Sequence, residues 1–402
     1  RHHSSSRMSI PNSLYSPFYY TGTGSNSTNN GLQGIKRVPG TQKDYVLTGT
    51  SGNISTAGQG TVYVGPINGS STANGSGSGY WLLMNVPSSW NSPASSIYGP
   101  GLIQTSPTKR GLQKIRSIQL AGTYTTQFQD TSNYNTIGFT YQGPLTSTPA
   151  DTNFTSFRAK TPEGATAYDT FLHSWSGDLV AGNYTRENSA IALTINSGID
   201  SSAFVYNPKT QTQRNLRFTD GSTSHTAFGI WFNGRTSASS KRKAYTIAGG
   251  STVVNPAVNK IIAPSAFQIG AGMLVDYDPA TGQTHNQRNY QYQNDKNNVY
   301  VTHFEGIYKA AYNIYQMPFV AASSNGLFAG NAYVKRLSNG QFSKNALWQT
   351  FSSSSGGSFL SNDSTAGPGS VGLFNNGAVV PFAGEMTTQA YNQLLSSAQA
   401  LS

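Results

Sequence analysis

Apolar and polar residues alternate along this chain in short runs with a period of two, the spacing of half-buried strands. The clearest stretch is Thr223–Gln291, which reads TSHTAFGIWFNG, KRKAYTIAGGS, GAGMLVDYDPATGQ and THNQRNYQYQ. Four runs are separated there by Gly, Asn, Ser and Pro clusters. The third closes in Asp-Pro-Ala-Thr-Gly, a tight turn in which Pro pre-sets φ and Gly supplies positive φ. Four strands that each turn into the next predict one up-and-down sheet, which cannot bury its two faces alone.

The unit recurs. A strand ending in a small-residue pair appears as YVLTGT, IQLAGTY, LVAGNY, YTIAGGS and, more weakly, MPFVAAS, which aligns Gly49, Gly122, Gly182, Gly249 and Ala322. After each comes a turn-closed strand, as in GTVYVGPING, TIGFTYQGPL and SAFVYNPKTQT, then an outer run such as YWLLMNVP or ALWQTF. Before the small-residue strand stands an opening run: SSIYGPGL, DTFLHSW, TAFGIWF or FEGIYKAAY. Regular repetition of a multi-strand unit predicts an all-β fold, a single β-propeller of five blades with four antiparallel strands each. The segment SFLSNDSTAGPGSVGLFNNGAVVPFA is either a sixth, partial blade or the piece that closes the ring. The small pairs are assigned to the innermost strands, which crowd the axis. Residues 34–386 are taken as the propeller, 1–33 as a tag remnant (RHHSSSR before Met8) and flexible arm, and 387–402 as a tail with helical potential. A β-helix would need shorter rungs than these units supply.

Composition supports the all-β reading. Of 402 residues only 10% are charged, 36% are hydrophobic and 43 are Gly. Cysteine is absent, which excludes disulfides, thiolate chemistry and Cys-based metal sites. No apolar run is long enough to span a membrane as a helix. The net charge of +11 is partly clustered at Lys36-Arg37, Lys109-Arg110 and Lys241-Arg242-Lys243. A nucleic-acid partner would need these on one face among stacking aromatics. They are read instead as loop charges that keep a Gly/Ser-rich chain soluble.

The pairing of a G-N-Y or A-G-G strand with AFVYN and HTAFGIW resembles the extracellular HAF-type repeat proteins, over roughly residues 116–351. These are exported bacterial proteins named for a His-Ala-Phe motif and held to be β-propellers. His225-Thr226-Ala227-Phe228 is the nearest match, with a Thr inserted, and the second unit has no such His. The resemblance implies a propeller outside the cell, although no signal peptide is visible. It implies no activity.

Candidate chemistry comes from polar groups at the blade openings, expected to converge at the channel mouth: Asp169, His173, His225, His303 and Glu305. Converging imidazoles and carboxylates suit a metal or acid–base work. Recurrence at one repeat position suits structural caps instead, so no catalytic residue, metal or cofactor is assigned. A glycosidase would need two converging carboxylates, for which Asp169, Asp178, Asp220, Asp276 and Glu305 are candidates. Trp90, Trp175, Trp231 and Tyr308 form a candidate aromatic platform, because ring faces stack on sugar C–H surfaces. The expectation is an exported module that binds a glycan or a surface protein. The alternatives are a polysaccharide hydrolase using Asp169 and Glu305, and a self-assembling surface or particle protein.

Overall fold

The computed structural model describes residues 7–10, 30–41, 44–51, 58–66, 79–127, 134–186, 201–218, 224–234, 243–253, 269–323, 326–351, 371–373, 379–381 and 388–402. After a short strand β1 (Arg7–Ile10), the first meander comprises β2 (Asn30–Arg37), β3 (Asp44–Ser51), β4 (Gln59–Pro66) and β5 (Tyr80–Met84), paired antiparallel in that order. The second opens on the short strands β6 (Ser95–Ile97) and β7 (Ile103–Thr105), both paired with β8 (Ile115–Gln127). It continues through β9 (Tyr134–Gly143) to β10 (Phe154–Phe157). The third is β11 (Asp169–Ser176), β12 (Leu179–Thr185), β13 (Ser201–Asn207) and β14 (Thr212–Asn215). The fourth is β15 (Ser224–Phe232), β16 (Tyr245–Val253), β17 (Ile269–Asp278) and β18 (Gln283–Tyr290).

The fifth meander has a split opening, β19 (Val299–Phe304) and β20 (Tyr308–Ala311), both on β21 (Ile314–Ser323). It runs on through β22 (Gly326–Lys335) to β23 (Leu347–Phe351), and β1 adds in parallel outside β23. A hairpin of β24 (Val371–Leu373) and β25 (Val379–Pro381) touches β2 and β22, on the first and fifth meanders. Helix α1 (Thr388–Gln399) lies against β21 and β22, where Lys335 Nζ donates to the Gln399 carbonyl at 2.6 Å.

Period-two alternation explains why these sheets stack around an axis. Successive residues of one strand face opposite neighbours. Ala181 packs between the third and fourth meanders with Val205, Ile247 and Met273. Val180, the residue before it, packs with Leu172 and Phe204 toward the second. In the same way Ile247 faces back while Ala248 faces forward onto Leu274, Phe304 and Trp348. Each interface is thus a two-sheet sandwich core, worth about 1.5–3 kcal/mol per fully buried large apolar side chain. Arg37 of the first meander and Tyr308 of the fifth line one cavity, so the sheets come full circle. The chain is a β-propeller, and each of these meanders is a blade of it.

Two expectations change. β2 begins at Asn30, ahead of the boundary at Gly34, and β1 lies within the stretch expected to be a tag remnant and flexible arm. The small-residue pairs sit on the second strand of each blade (β3, β8, β12, β16, β21), while the opening strand is innermost. The reason is a β-bulge. The opening strand shifts register between Leu32 and Gly34, Leu172 and Ser174, and Ala227 and Gly229. The residue before each shift pairs with Gly49, Gly182 or Gly249. A Cβ on Gly182 or Gly249 would collide with an opening-strand carbonyl, Phe171 or Thr226 respectively. The pair therefore makes room for a bulge, not for the axis.

Candidate functional site

The bulges set three equivalent positions on the innermost strands, Gln33, His173 and Phe228, and the small residue that follows each one matches Tyr98 and Glu305, just past β6 and β19, to them. Each is followed by a small residue, namely Gly34, Gly99, Ser174, Gly229 and Gly306, at the level where neighbouring blades come closest. A Cβ on Gly34 would stand 2.9 Å from the Gly99 Cα, and one on Gly229 would stand 2.7 Å from Gly306. Gly99 bridges to Ser174, whose Oγ donates to the Phe228 carbonyl at 2.6 Å.

Tyr98, His173, Phe228 and Glu305 come together with His303 where the blades are closest. The Tyr98 and His173 rings lie 5.2 Å apart, His173 and Phe228 3.8 Å, and Phe228 and His303 4.3 Å. His303 shares hydrogen bonds with Thr226 Oγ1 at 2.6 Å and Glu305 Oε1 at 3.0 Å. Burial pushes the Tyr98 phenol up, Thr123 and Ser96 oppose this, and the Glu305 charge adds to it. Tyr98 and Glu305 stand on the second and fifth blades, so this influence acts across the channel. Burial drives His173 down to about 3, against its hydrogen bond to Asn183 Oδ1 at 2.8 Å and with a further push from His303. Its Nδ1 has no partner among the described residues. These side chains form a floor across the channel.

Above the floor the C-terminal ends of the innermost strands enclose a cavity of about 680 Å³. Its wall is aromatic: Tyr45, Trp175, Trp231, Phe232 and Tyr308. Trp231 and Tyr308 meet edge to face at 5.6 Å. Its polar groups are Lys36, Arg37, Gln119, Ser174, Ser176 and Asp178, with Asp178 exposed at the rim. Burial lowers the pKa of Lys36, and the Arg37 guanidinium lies 5.3 Å from the centre of the Tyr45 ring. The cavity opens at the ends of the innermost strands, not at the loops before them where convergence was expected.

The predicted residues separate accordingly. His173, His303 and Glu305 come together in the floor. Asp169 is buried at the start of β11, where it accepts from the Thr136 N–H at 2.9 Å and Thr185 Oγ1 at 3.0 Å, tying the second blade to the third. Burial raises its pKa, and those two donors oppose the rise. His225 stacks on Phe218 at 3.7 Å. The Asp169–Glu305 pair that hydrolysis would use is therefore not assembled. Asp276 is buried and clamped by Arg336 at 2.7 and 2.8 Å. Asp220 lies outside the described residues. Among the described residues no group of three or more His, Asp or Glu side chains is placed to hold a metal ion. Trp175, Trp231 and Tyr308 line the cavity, whereas Trp90 packs on Tyr124 at 4.7 Å, away from it.

Sequence reasoning missed Lys36, Arg37, Tyr45 and Phe232. A signal that finds Lys36, with Arg37 after it, is Gly-Ile-x at three of the five positions: Gly34-Ile35-Lys36, Gly229-Ile230-Trp231 and Gly306-Ile307-Tyr308. It places Lys36 at the level of Trp231 and Tyr308.

No protein-family model matches this chain, and a search of curated proteins finds none similar. Among solved structures it is similar to a GH32 β-fructofuranosidase of Bombyx mori (TM-score 0.39, 8% identity, covering 82% of this chain and 64% of that one). It is also similar to MPT-1, a GDP-Man-dependent mannosyltransferase of Leishmania mexicana (0.38, 9%, 79% and 88%). A third is Trypanosoma rangeli sialidase (0.37, 8%, 84% and 58%). The chain thus spans under two thirds of the first and third of these. Likeness at this level carries no argument about chemistry, and the propeller is read from the chain's own sheets. Among the described residues no helix is long and apolar enough to cross a membrane.

Proposed function

We propose that this protein is an exported binding module that recognises a glycan in the cavity above the channel floor. One observation carries the reading: an aromatic wall of Trp175, Trp231, Phe232 and Tyr308 in a concavity of about 680 Å³, with polar groups interspersed. That volume suits a small ligand or the end of a chain rather than a flat protein epitope. Aromatic faces cover sugar C–H surfaces, while Gln119, Ser176 and Asp178 offer hydrogen bonds to hydroxyls. Asp178 is the one carboxylate among the described lining residues, which favours binding over a two-carboxylate cleavage.

The test is a glycan array followed by titration of intrinsic tryptophan fluorescence. Trp231→Ala and Tyr308→Ala are each expected to weaken binding at least tenfold, with the circular dichroism of the fold unchanged, and Trp90→Ala to leave it intact. Binding that survives both cavity variants overturns the reading. So does steady release of sugar from the bound glycan.

A further inference from the structure

The first blade contributes something different from the fourth and fifth. At the level where the fourth and fifth blades present Trp231 and Tyr308, it presents Lys36, followed by Arg37. Lys36 is half-buried, and among the described residues its ammonium has no hydrogen bond or ion pair. Nearby, Tyr45 is only 4% exposed and its hydroxyl has no partner among the described residues. The Arg37 guanidinium lies 5.3 Å from the same ring.

A cation withdrawn from water without a counter-charge costs stability, and so does a buried hydroxyl without an acceptor. Lys36 lines the cavity from one face of β2, Arg37 and Tyr45 line it from the other, and the one described lining carboxylate stands out at the exposed rim, which leaves a place beside Lys36 that an acceptor bearing negative charge would fill. The aromatic wall alone would hold a neutral sugar. The Lys36 ammonium adds a demand that a neutral sugar does not meet.

We propose that the glycan bound in this cavity is acidic, with a carboxylate or sulfate seated against Lys36 while the sugar ring rests on Trp231 and Tyr308. This rests on the glycan reading above and narrows it to one substrate class. Sites of this kind trade stability for function, so relieving the uncompensated cation should strengthen the fold.

Two matched pairs of probes test it: oligogalacturonate as the free acid against its methyl ester, and a sulfated galactan fragment against its desulfated form. Each pair differs in charge while the sugar backbone is kept. The full-length protein is titrated by tryptophan fluorescence at low and physiological salt. The charged member of at least one pair is expected to bind ten- to a hundredfold more tightly, the range for a charge-assisted hydrogen bond, with the gap narrowing as salt rises. Which pair shows the gap distinguishes carboxylate from sulfate. In Lys36→Met, which keeps the apolar stem, the gap is expected to close through weaker binding of the charged member, and the melting temperature to rise. Equal binding of charged and neutral members overturns the acidic inference and leaves the glycan reading standing. Failure of every saccharide, charged or neutral, on the probes and the array overturns both. Loss of all binding in Lys36→Met with a lowered melting temperature marks Lys36 as structural and likewise overturns the inference.

Discussion

Gly229 stands where the fourth and fifth blades nearly touch, with a Cβ there only 2.7 Å from the Gly306 backbone. Backbone on both sides cannot yield without parting the blades, so Gly229→Ala is expected to cost about 1–3 kcal/mol in urea unfolding. Gly270→Ala, where the nearest atom would lie at 3.5 Å, should be near neutral. His173 makes a second residue-scale prediction. The native imidazole takes a proton only near pH 3, the unfolded one near its ordinary value of 6.5. Between those values the unfolded chain binds more protons, so stability falls as pH drops through the window, by up to about 1.4 kcal/mol per unit. Tyr98, Phe228, Asn183 and His303 face this ring. In His173→Gln the urea midpoint between pH 4 and 6 should lose about one proton's worth of slope, and an unchanged slope would refute the assignment. The sequence marked His173 as a residue of interest but not its level in the fold. Gln, Tyr, His, Phe and Glu share no chemistry that would align them, and only the small residue after each one recurs.

Between elements, one polar network carries the contact of the fourth and fifth blades. Arg336 on the fifth grips Asp276 on the fourth with both terminal nitrogens, also donates to Thr246 and the Gly340 carbonyl, and lies 4.6 Å from the centre of the Phe342 ring. Asn286 donates to the same carboxylate at 2.8 Å. Removing one member strands a buried charge, so Asp276→Asn is expected to cost about 3–5 kcal/mol, with part restored by adding Arg336→Met. Thermal unfolding checks both. Exposed Arg186, 3.0 Å from Glu163, should be replaceable by Ala without a change in the midpoint. Local reading saw Asp276 only as one of several carboxylates, since its partner lies on another blade. Strand order within a blade was legible because period two and Gly/Pro turns are local signals. Which strand lies innermost was not, because glycine opposite a bulge and glycine against an axis look alike in one dimension.

For the whole molecule, the repeat announced a ring of sheets, and pieces the repeat does not contain add to it at the first and fifth blades. β1 adds in parallel outside β23, and the hairpin of β24 and β25 touches blades one and five. A chain lacking residues 1–10 exposes the β23 edge, and unpaired edges recruit other strands. Such a chain is expected to self-associate with rising concentration, measured by light scattering, and a persistently monomeric one would refute this role for β1. The basic pair Lys36-Arg37, read in sequence as a loop charge that aids solubility, gains meaning only once the ring sets it beside aromatics from distant blades. The floor of Tyr98, His173, Phe228 and Glu305 has a consequence of its own. Its close ring contacts block the way down from the cavity, so a glycan of the kind proposed above is expected to enter by a chain end. Capacity on an insoluble polymer should then count chain ends: cutting the polymer shorter at constant mass should retain more protein, where a through-going channel would retain the same.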